Sequence, residues 1–168
     1  SIYAPQAGST ITVGAPAGPN GKLYIGGKLL ADAGITLYSG VSADGRDIEL
    51  PATGRLETLH ASIVLSPGVD GVLSGEILAG GANSDVVITS GHSLELRGRI
   101  EAQRNILISA GTVATPNDIS ISTYPTSTMK SLGGGGRIVV TGVNDVILNS
   151  SIGPGSNTLS LIQLASTN

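Results

Sequence analysis

The sequence predicts an all-β fold, a right-handed parallel β-helix (solenoid) of roughly five to seven coils, with residues 1–168 forming one domain. Three observations predict this fold. A glycine-centred pattern recurs every 21 to 27 residues, the residues around each glycine alternate between aliphatic and polar, and bulky aromatic residues are nearly absent. The chain contains 25 Gly and four Tyr but no Phe or Trp. A narrow interior, in which each inward side chain meets its counterpart in the next coil, accounts for all three.

The first strand of each repeat surrounds one of four glycines, Gly27, Gly54, Gly75 and Gly98. Residues at even offsets from the glycine share one face of a strand, and those two positions after it are Leu29, Leu56, Ile77 and Ile100. Residues at odd offsets carry the charges, and those directly after the glycine are Lys28, Arg55, Glu76 and Arg99, with Arg137 in a fifth copy. Stacked coils therefore predict an inward aliphatic row and an outward charge ladder. In that ladder, Glu76 lies between Arg55 and Arg99.

A second strand follows in each repeat, over 35–40, 63–68, 87–91 and 106–111. Each run of alternating aliphatic residues ends at a glycine, namely Gly40, Gly68, Gly91 or Gly111. Glycine adopts positive φ without steric cost, so we expect glycines to supply the corners where the coil turns.

The remaining segments fit the same domain less regularly. Residues 1–20 form an initial segment broken by Pro and Gly around a short strand, and 158–164 is predicted to be a terminal strand. The segment 112–135 is rich in Ser, Thr, Pro and Gly, which predicts an inserted loop or an irregular rung. A fifth copy of the repeat is predicted to begin at Gly136.

An antiparallel sandwich is the main competing architecture, because it also has short strands and frequent turns. Sandwiches lack this phased similarity between repeats and usually bury an aromatic side chain. Leucine-rich repeats share the period but need an Asn or Cys ladder that is absent here. The β-helix is therefore the preferred interpretation.

Composition excludes several functional classes. With nine Lys and Arg and a net charge of −3, no basic face for nucleic acid is expected. No apolar run approaches the roughly 18 residues of a membrane helix, so no membrane span is expected. The absence of Cys excludes disulfides, thiolate metal sites and a cysteine nucleophile. The charge-poor composition, rich in Gly, Ser and Thr, favours an exported protein.

No catalytic residue and no cofactor site is predicted. His60 and His92 are interpreted as surface histidines, since nothing in the sequence pairs them with a nucleophile. The aspartates mostly lie beside Gly or Asn, where Asp makes turns by bonding its own backbone; they are Asp32, Asp44, Asp47, Asp70, Asp85, Asp118 and Asp145. The set Glu95, Arg97, Arg99 and Glu101 is interpreted as the solvated outer face of one strand.

One stretch resembles a metal-binding motif. GGANSDVVI (80–88) follows the calcium-binding nonapeptide pattern GGxGxDxUx except that Asn83 replaces a glycine. Gly80, Gly81 and Asp85 occupy the matching positions. Such calcium sites lie between stacked copies of the motif, and this chain has a single copy. No metal site is therefore predicted, and these three residues are the calcium candidate to test.

The repeated sequence of a Gly followed by two alternating aliphatic strands resembles the coils of filamentous-haemagglutinin-like exoproteins. These are large secreted bacterial adhesins of the two-partner secretion type. The clearest match is GRIEAQRNILISAG (98–111), followed by GKLLADAGITLYSG (27–40) and GRLETLHASIVLSPG (54–68). The resemblance implies an internal shaft segment, because the NPNG-type motif of the secretion domain is missing. It also implies a secreted or cell-surface location, and it carries no catalytic residues onto this chain.

The expected function is a non-catalytic, structural and adhesive β-helix. The expected partners are other protein chains, including identical subunits at the solenoid ends, and surface glycans. One alternative is a subunit of an extracellular filament or matrix fibre that stacks end to end, because neither terminal segment reads as a capping helix. A second alternative is a fragment of a carbohydrate-active β-helix enzyme, which needs an acidic groove built from three adjacent coils.

Overall fold

The computed structural model describes residues 1–15, 21–41, 46–111, 119–154 and 161–166. Every regular element in these ranges is a β-strand, and the strands form three parallel sheets stacked as a β-solenoid of about six turns. The predicted all-β parallel solenoid is confirmed. The described residues contain no helix long and apolar enough to cross a membrane.

Each complete coil contributes three strands. The first coil comprises β1 (Ile2–Ala4), β2 (Thr10–Gly14) and β3 (Leu23–Tyr24). The second comprises β4 (Lys28–Ala31), β5 (Gly34–Tyr38) and β6 (Ile48–Leu50). The third comprises β7 (Arg55–Thr58), β8 (Ile63–Ser66) and β9 (Asp70–Leu73). The fourth coil comprises β10 (Glu76–Ala79), β11 (Val86–Ser90) and β12 (Ser93–Leu96). The fifth comprises β13 (Arg99–Ala102), β14 (Ile106–Ala110) and β15 (Ile119–Thr123). The sixth comprises β16 (Thr128–Ser131), β17 (Arg137–Gly142) and β18 (Asp145–Ile147). A last, partial coil comprises β19 (Ser151–Pro154) and β20 (Leu161–Ser166).

The first, second and third strands of successive coils stack into sheets that we call sheet 1, sheet 2 and sheet 3. Sheets 1 and 2 have seven strands each and sheet 3 has six. Sheet 1 runs from β1 to β19, sheet 2 from β2 to β20 and sheet 3 from β3 to β18. All pairs are parallel, since each crossover to the next strand of a sheet is one full coil.

The core consists of aliphatic rows that run along the solenoid axis. The predicted row in sheet 1 is confirmed, because consecutive members pair directly and none is more than 4% exposed; it contains Leu29, Leu56, Ile77 and Ile100 and continues to Met129. Sheet 2 adds a similar buried row of Ile11, Ile35, Ile63, Val86, Ile106 and Ile138. Neighbouring strands lie about 4.8 Å apart, so equivalent apolar side chains in a row touch above and below.

The repeated glycines permit close backbone contact between coils, which corrects the expectation that they supply positive-φ corners. A Cβ atom on Gly98 would lie 1.9 Å from the carbonyl oxygen of Gly75, and one on Gly75 would lie 2.2 Å from that of Gly54. Positive φ is instead found at Gly8, Gly34, Gly81, Gly111 and Gly135, of which only Gly111 ends one of the predicted strands. Glycine is therefore required at Gly54, Gly75 and Gly98, because a side chain there would collide with the backbone of the preceding coil, whereas a Cβ on Gly27 would meet no atom closer than 3.4 Å.

The segment 112–135 contains regular strands where a loop or an irregular rung was predicted. Its described part, 119–135, includes β15 and β16, which pair in register with β12 and β13. The charge-ladder position after Arg99 is consequently held by Thr128 and not by Arg137. Arg137 opens β17 in sheet 2, because the Gly-Arg-aliphatic pattern also fits the start of a strand there. Residues 112–118 lie outside the described residues.

Both terminal segments take part in the sheets. The initial segment 1–20 supplies β1 and β2, which pair with the second coil. The predicted terminal strand 158–164 corresponds to β20 at 161–166, and residues 158–160 lie outside the described part of the chain.

Candidate functional site

The outer face of sheet 1 carries the ladder of charges that the repeat predicts. Lys28, Arg55, Glu76 and Arg99 occupy equivalent positions on four successive strands. A carboxylate oxygen of Glu76 lies 2.6 Å from Nη1 of Arg55, and the other lies 3.4 Å from Nη1 of Arg99. The predicted position of Glu76 between the two arginines is confirmed.

Two more glutamates extend this ladder into a network. Glu57 lies 2.8 Å from the ammonium of Lys28 and 2.9 Å from Nε of Arg55, while Glu101 lies 2.7 Å from Nη2 of Arg99. The hydrogen bond that Lys28 donates is the main cause that holds the pKa of Glu57 below its ordinary value of 4.5. Glu57 is therefore ionised at neutral pH, which suits it to accept hydrogen bonds and does not suit it to donate a proton.

The four residues Glu95, Arg97, Arg99 and Glu101 do not share one strand, and that prediction is wrong. Glu95 lies on β12 in sheet 3, whereas Arg99 and Glu101 lie on β13 in sheet 1. The corner between the sheets interrupts the strand while the alternation of charges continues in the sequence. Arg97, in that corner, binds Glu95 at 2.6 Å and stacks on the ring of Tyr124, with 4.3 Å from Cζ to the ring centroid.

His60 contacts the side chain of Asp32 at the corner that leads from sheet 1 to sheet 2. Its Nδ1 lies 2.6 Å from Oδ1 of Asp32, and Oδ2 of Asp32 accepts a hydrogen bond of 2.7 Å from the backbone N–H of Gly8. The pKa of Asp32 is lowered chiefly by the hydrogen bond from Gly8 and next by the hydrogen bond with His60. The His60 side chain is 73% exposed, as expected of a surface histidine.

His92 has a similar partner at the corner that leads from sheet 2 to sheet 3. Its Nδ1 lies 2.8 Å from Oδ1 of Asp70, and the same oxygen accepts 2.6 Å and 2.9 Å hydrogen bonds from the hydroxyl and backbone N–H of Ser93. In a Ser-His-Asp triad the histidine lies between the serine and the aspartate. Here Ser93 and His92 both bind the carboxylate, so this geometry does not activate the serine.

The described aspartates outside β18 connect coils, which corrects the expectation that each bonds its own turn. Each carboxylate accepts a hydrogen bond from a backbone N–H of an adjacent coil, and these donors are Gly8 for Asp32, Val69 and Asp70 for Asp47, Ser93 for Asp70, and Asn105 for Asp85. Asp145 lies exposed on β18, and Asp44 and Asp118 lie outside the described residues. The partners are one coil apart, so an alignment of the coils is the sequence signal that could have found them.

The calcium candidate is placed at the corner between β10 and β11. The backbone N–H of Gly80 donates to the carbonyl of Thr58 at 2.9 Å, and Gly81 has a φ of 94°. Asp85 binds the guanidinium of Arg104 at 2.9 Å and 2.6 Å, and this contact is the main cause that lowers its pKa. Within the ranges that the structure describes, no three His, Cys, Asp or Glu residues form a cluster suited to a metal. Gly80, Gly81 and Asp85 stay a calcium candidate to be tested.

Comparison of the chain with protein-family models, with curated proteins and with solved structures finds no match. The likeness to filamentous-haemagglutinin-like exoproteins therefore depends on the coil pattern alone. The architecture common to both, a parallel β-solenoid, is what the structure supports.

Proposed function

We propose that this protein is a non-catalytic, structural and adhesive β-helix of a secreted or cell-surface bacterial protein. The observation that carries the proposal is the unbroken stacking of aliphatic rows through successive coils. Interstrand hydrogen bonds in such a solenoid run along its axis, and six coils spaced by about 4.8 Å extend roughly 30 Å. A stack of this kind suits a rod that holds other groups apart.

The adhesive part of the proposal is supported by the position of the aromatic residues. All four tyrosines of the chain are on the outside, between 36% and 59% exposed; they are Tyr3, Tyr24, Tyr38 and Tyr124. Tyrosine combines a large apolar ring with a polar hydroxyl and is enriched where proteins contact partners. Other protein chains and surface glycans are the partner classes proposed.

A binding assay tests the adhesive function. The purified chain is applied to a glycan array and to immobilised extracellular-matrix proteins, beside the variant Tyr24→Ala/Tyr124→Ala. We expect the variant to bind about fivefold more weakly while its melting temperature stays within a few degrees. The control Thr89→Ala removes an exposed side chain that is not aromatic, and it should leave binding unchanged. Failure of the wild-type chain to bind any surface refutes adhesion and leaves the rod proposal standing.

A second candidate function is that of a filament subunit that stacks end to end. It is favoured by the exposed apolar side chains on the outermost strands, with Ile2 50% exposed at one end and Leu164 50% exposed at the other. Among the described strands, β1 and β20 each pair on one edge, and another chain can extend a strand edge that is unpaired. Light scattering over a range of protein concentrations tests it, because a filament subunit grows in mass with concentration and an isolated rod does not.

A carbohydrate-active fragment is the remaining alternative. Glu57, Glu76 and Glu101 come from three adjacent coils and share the outer face of sheet 1, as such an enzyme requires. Each of the three carboxylates binds at least one Arg or Lys, whereas glycoside hydrolysis needs one carboxyl group that keeps its proton. Release of reducing sugars from polysaccharides, abolished by Glu76→Gln, would favour this alternative over the rod.

A further inference from the structure

The outward face of sheet 2 differs from the outward faces of the other two sheets in its lack of charge. Strands β2, β5, β8, β11 and β14 contain no Asp, Glu, Lys or Arg, and β17 contains only Arg137, at its first position. By contrast, every sheet 1 strand from β4 to β16 carries a charged residue, as do β6, β9 and β12 of sheet 3. Depletion of charged residues distinguishes the core of a protein interface from the rest of a surface, so sheet 2 is the face suited to contact.

Two rows of side chains cover this face, and we call them the aliphatic row and the hydroxyl row. The aliphatic row lies in register on four successive strands and consists of Val64, Val87, Leu107 and Val139. The hydroxyl row lies two residues further along the same strands and consists of Ser66, Thr89, Ser109 and Thr141. Every member of the two rows is at least partly exposed.

The two rows form a flat and regular surface. Equivalent positions on neighbouring strands lie about 4.8 Å apart, and the hydroxyl of Ser109 donates to Oγ1 of Thr89 at 3.4 Å. Tyr38, which pairs with Ser66, has its ring directly beside Gly14 of the neighbouring coil. The ring therefore lies along the sheet and does not stand up from it. A flat face of this kind can approach a second one at the roughly 10 Å separation of packed sheets.

We propose that the outward face of sheet 2 binds the same face of a second copy of this chain, so that two solenoids pair side by side. The two sheets lie face to face, about 10 Å apart, and a two-fold axis passes between their aliphatic rows. Val87 of one copy then lies opposite Val87 or Leu107 of the other. This lateral contact goes beyond the rod and adhesive functions proposed above, and it is separate from end-to-end stacking.

Charge and hydrogen bonding favour an identical partner for this face. A two-fold contact sets each side chain close to its own counterpart, so a charged face would meet like charges across the interface. The aliphatic and hydroxyl rows carry no charge, and two copies therefore approach without repulsion. Hydroxyl groups both donate and accept hydrogen bonds, so two hydroxyl rows can also pair with each other. The outer face of sheet 1, with Arg55 and Arg99 partly exposed, lacks this property.

The area of the face is sufficient for a weak dimer. Seven strands of about five residues, spaced by about 4.8 Å, cover roughly 34 Å by 16 Å. Two such faces bury about 1,100 Å² in total, just above the roughly 1,000 Å² that a specific interface requires and below the roughly 1,600 Å² of a standard one. We therefore expect an equilibrium between monomer and dimer, with a dissociation constant on the order of 10 µM.

Analytical ultracentrifugation of the chain, over roughly 1 to 500 µM, measures this equilibrium. We expect the mass to rise with concentration and to level off at that of a dimer, whereas an end-to-end filament continues to grow. Because the contact contains no charges, raising NaCl from about 0.05 to about 0.5 M should weaken the dimer by less than about twofold. A dimer held by the charge ladder of sheet 1 would instead weaken as salt screens its ion pairs.

A pair of matched variants locates the contact. Val87→Lys places a charge in the aliphatic row, whereas Val72→Lys places one on the outward row of sheet 3, between Glu49 and Glu95. Val72 and Val87 are both half-buried, so the two substitutions are comparable. We expect Val87→Lys to raise the dissociation constant at least tenfold, and Val72→Lys to leave it unchanged.

A mixture of Val87→Lys with Val87→Glu should dimerise again, because opposite charges then face each other across the two-fold axis. This rescue separates a lost contact from a variant that fails to fold, since mixing does not restore an unfolded chain. A wild-type chain that stays monomeric at every concentration overturns the proposal and leaves this face to another partner. A dimer that salt weakens more than about twofold, or that Val87→Lys leaves intact, overturns it by placing the contact elsewhere. Growth beyond the dimer that Val87→Lys does not reduce also overturns it and favours the end-to-end filament.

Discussion

Asp85 accepts two hydrogen bonds from the guanidinium of Arg104, at 2.9 Å and 2.6 Å, across the boundary between the fourth and fifth coils. The same carboxylate accepts a third, of 2.9 Å, from the backbone N–H of Asn105. A bidentate arginine contact is directional, and the backbone hydrogen bond fixes where the next coil begins. One side chain thus holds two coils in register at a corner of the solenoid.

The aspartate is expected to matter more than the arginine in this contact. Asp85→Ala removes the acceptor of a backbone N–H as well as the ion pair, so we expect it to lower the free energy of unfolding by about 1–2 kcal/mol. Arg104→Ala removes only the half-exposed ion pair, for which about 0–1 kcal/mol is expected. Urea denaturation at neutral pH checks both values, and an equal or larger loss for Arg104→Ala would contradict this role for Asp85.

Calcium is expected to leave the protein's stability unchanged. The candidate ligand Asp85 is already occupied by Arg104 and Asn105, and a calcium ion needs six to eight oxygen ligands. Thermal unfolding with millimolar calcium, compared with the same buffer containing a chelator, should give equal melting temperatures. A calcium-dependent rise that disappears in Asp85→Asn would instead establish Asp85 as a metal ligand and support the candidate with Gly80 and Gly81.

Stability is expected to fall in acid. The pKa values of Asp32, Glu57 and Asp85 are lower in the folded protein than their ordinary values of 3.8 for Asp and 4.5 for Glu. A carboxyl group with a lowered folded-state pKa contributes stability above its unfolded pKa and loses it as the pH falls through the folded pKa. The urea midpoint should therefore decrease below about pH 4.5, and Glu57→Gln should reduce this decrease. A midpoint that rises with acid is the opposing result.

The motif glycines that lie under a backbone oxygen, Gly54, Gly75 and Gly98, are expected to tolerate no side chain. Gly98→Ala would place Cβ 1.9 Å from a backbone oxygen, which cannot move aside without opening the coil stack. We expect a loss of several kcal/mol, or failure to fold, by analogy with other severe overpacking. Gly153→Ala is the matched control, since a Cβ there has no atom within 4 Å, and it should change stability by less than about 0.5 kcal/mol. Circular dichroism during thermal unfolding compares the two, and similar melting temperatures would refute the close contact.

Much of the architecture could be predicted because four repeats carry an aliphatic residue at the same inward positions. The prediction failed at 119–135, where Ile121 and Met129 keep the inward apolar positions but other inward positions hold Thr123, Ser127 and Ser131. Their hydroxyl groups bond to backbone groups, as when Thr123 accepts from the N–H groups of Asn149 and Ser150. A polar residue that satisfies the backbone in this way removes the alternation on which strand prediction depends.

The polar contacts were harder to predict than the core. Asp32 and His60, or Asp70 and His92, are separated by about one coil in the sequence and meet only when the coils are in register. Residue type and nearest neighbours favour a turn for each aspartate, and they do not reveal the coil above or below. The charge ladder was predictable because its members share the phase of the motif glycine.

The central claim is that equivalent positions of successive coils lie directly over one another. Methyl and backbone nuclear Overhauser spectroscopy of the isotope-labelled chain tests it most directly. We expect cross-peaks from the methyl groups of Ile77 to those of both Leu56 and Ile100, with amide-to-Hα contacts between strands that are one coil apart. Strong Hα–Hα contacts between strands joined by a short turn, without the Ile77 contacts, would show antiparallel hairpins and contradict the account.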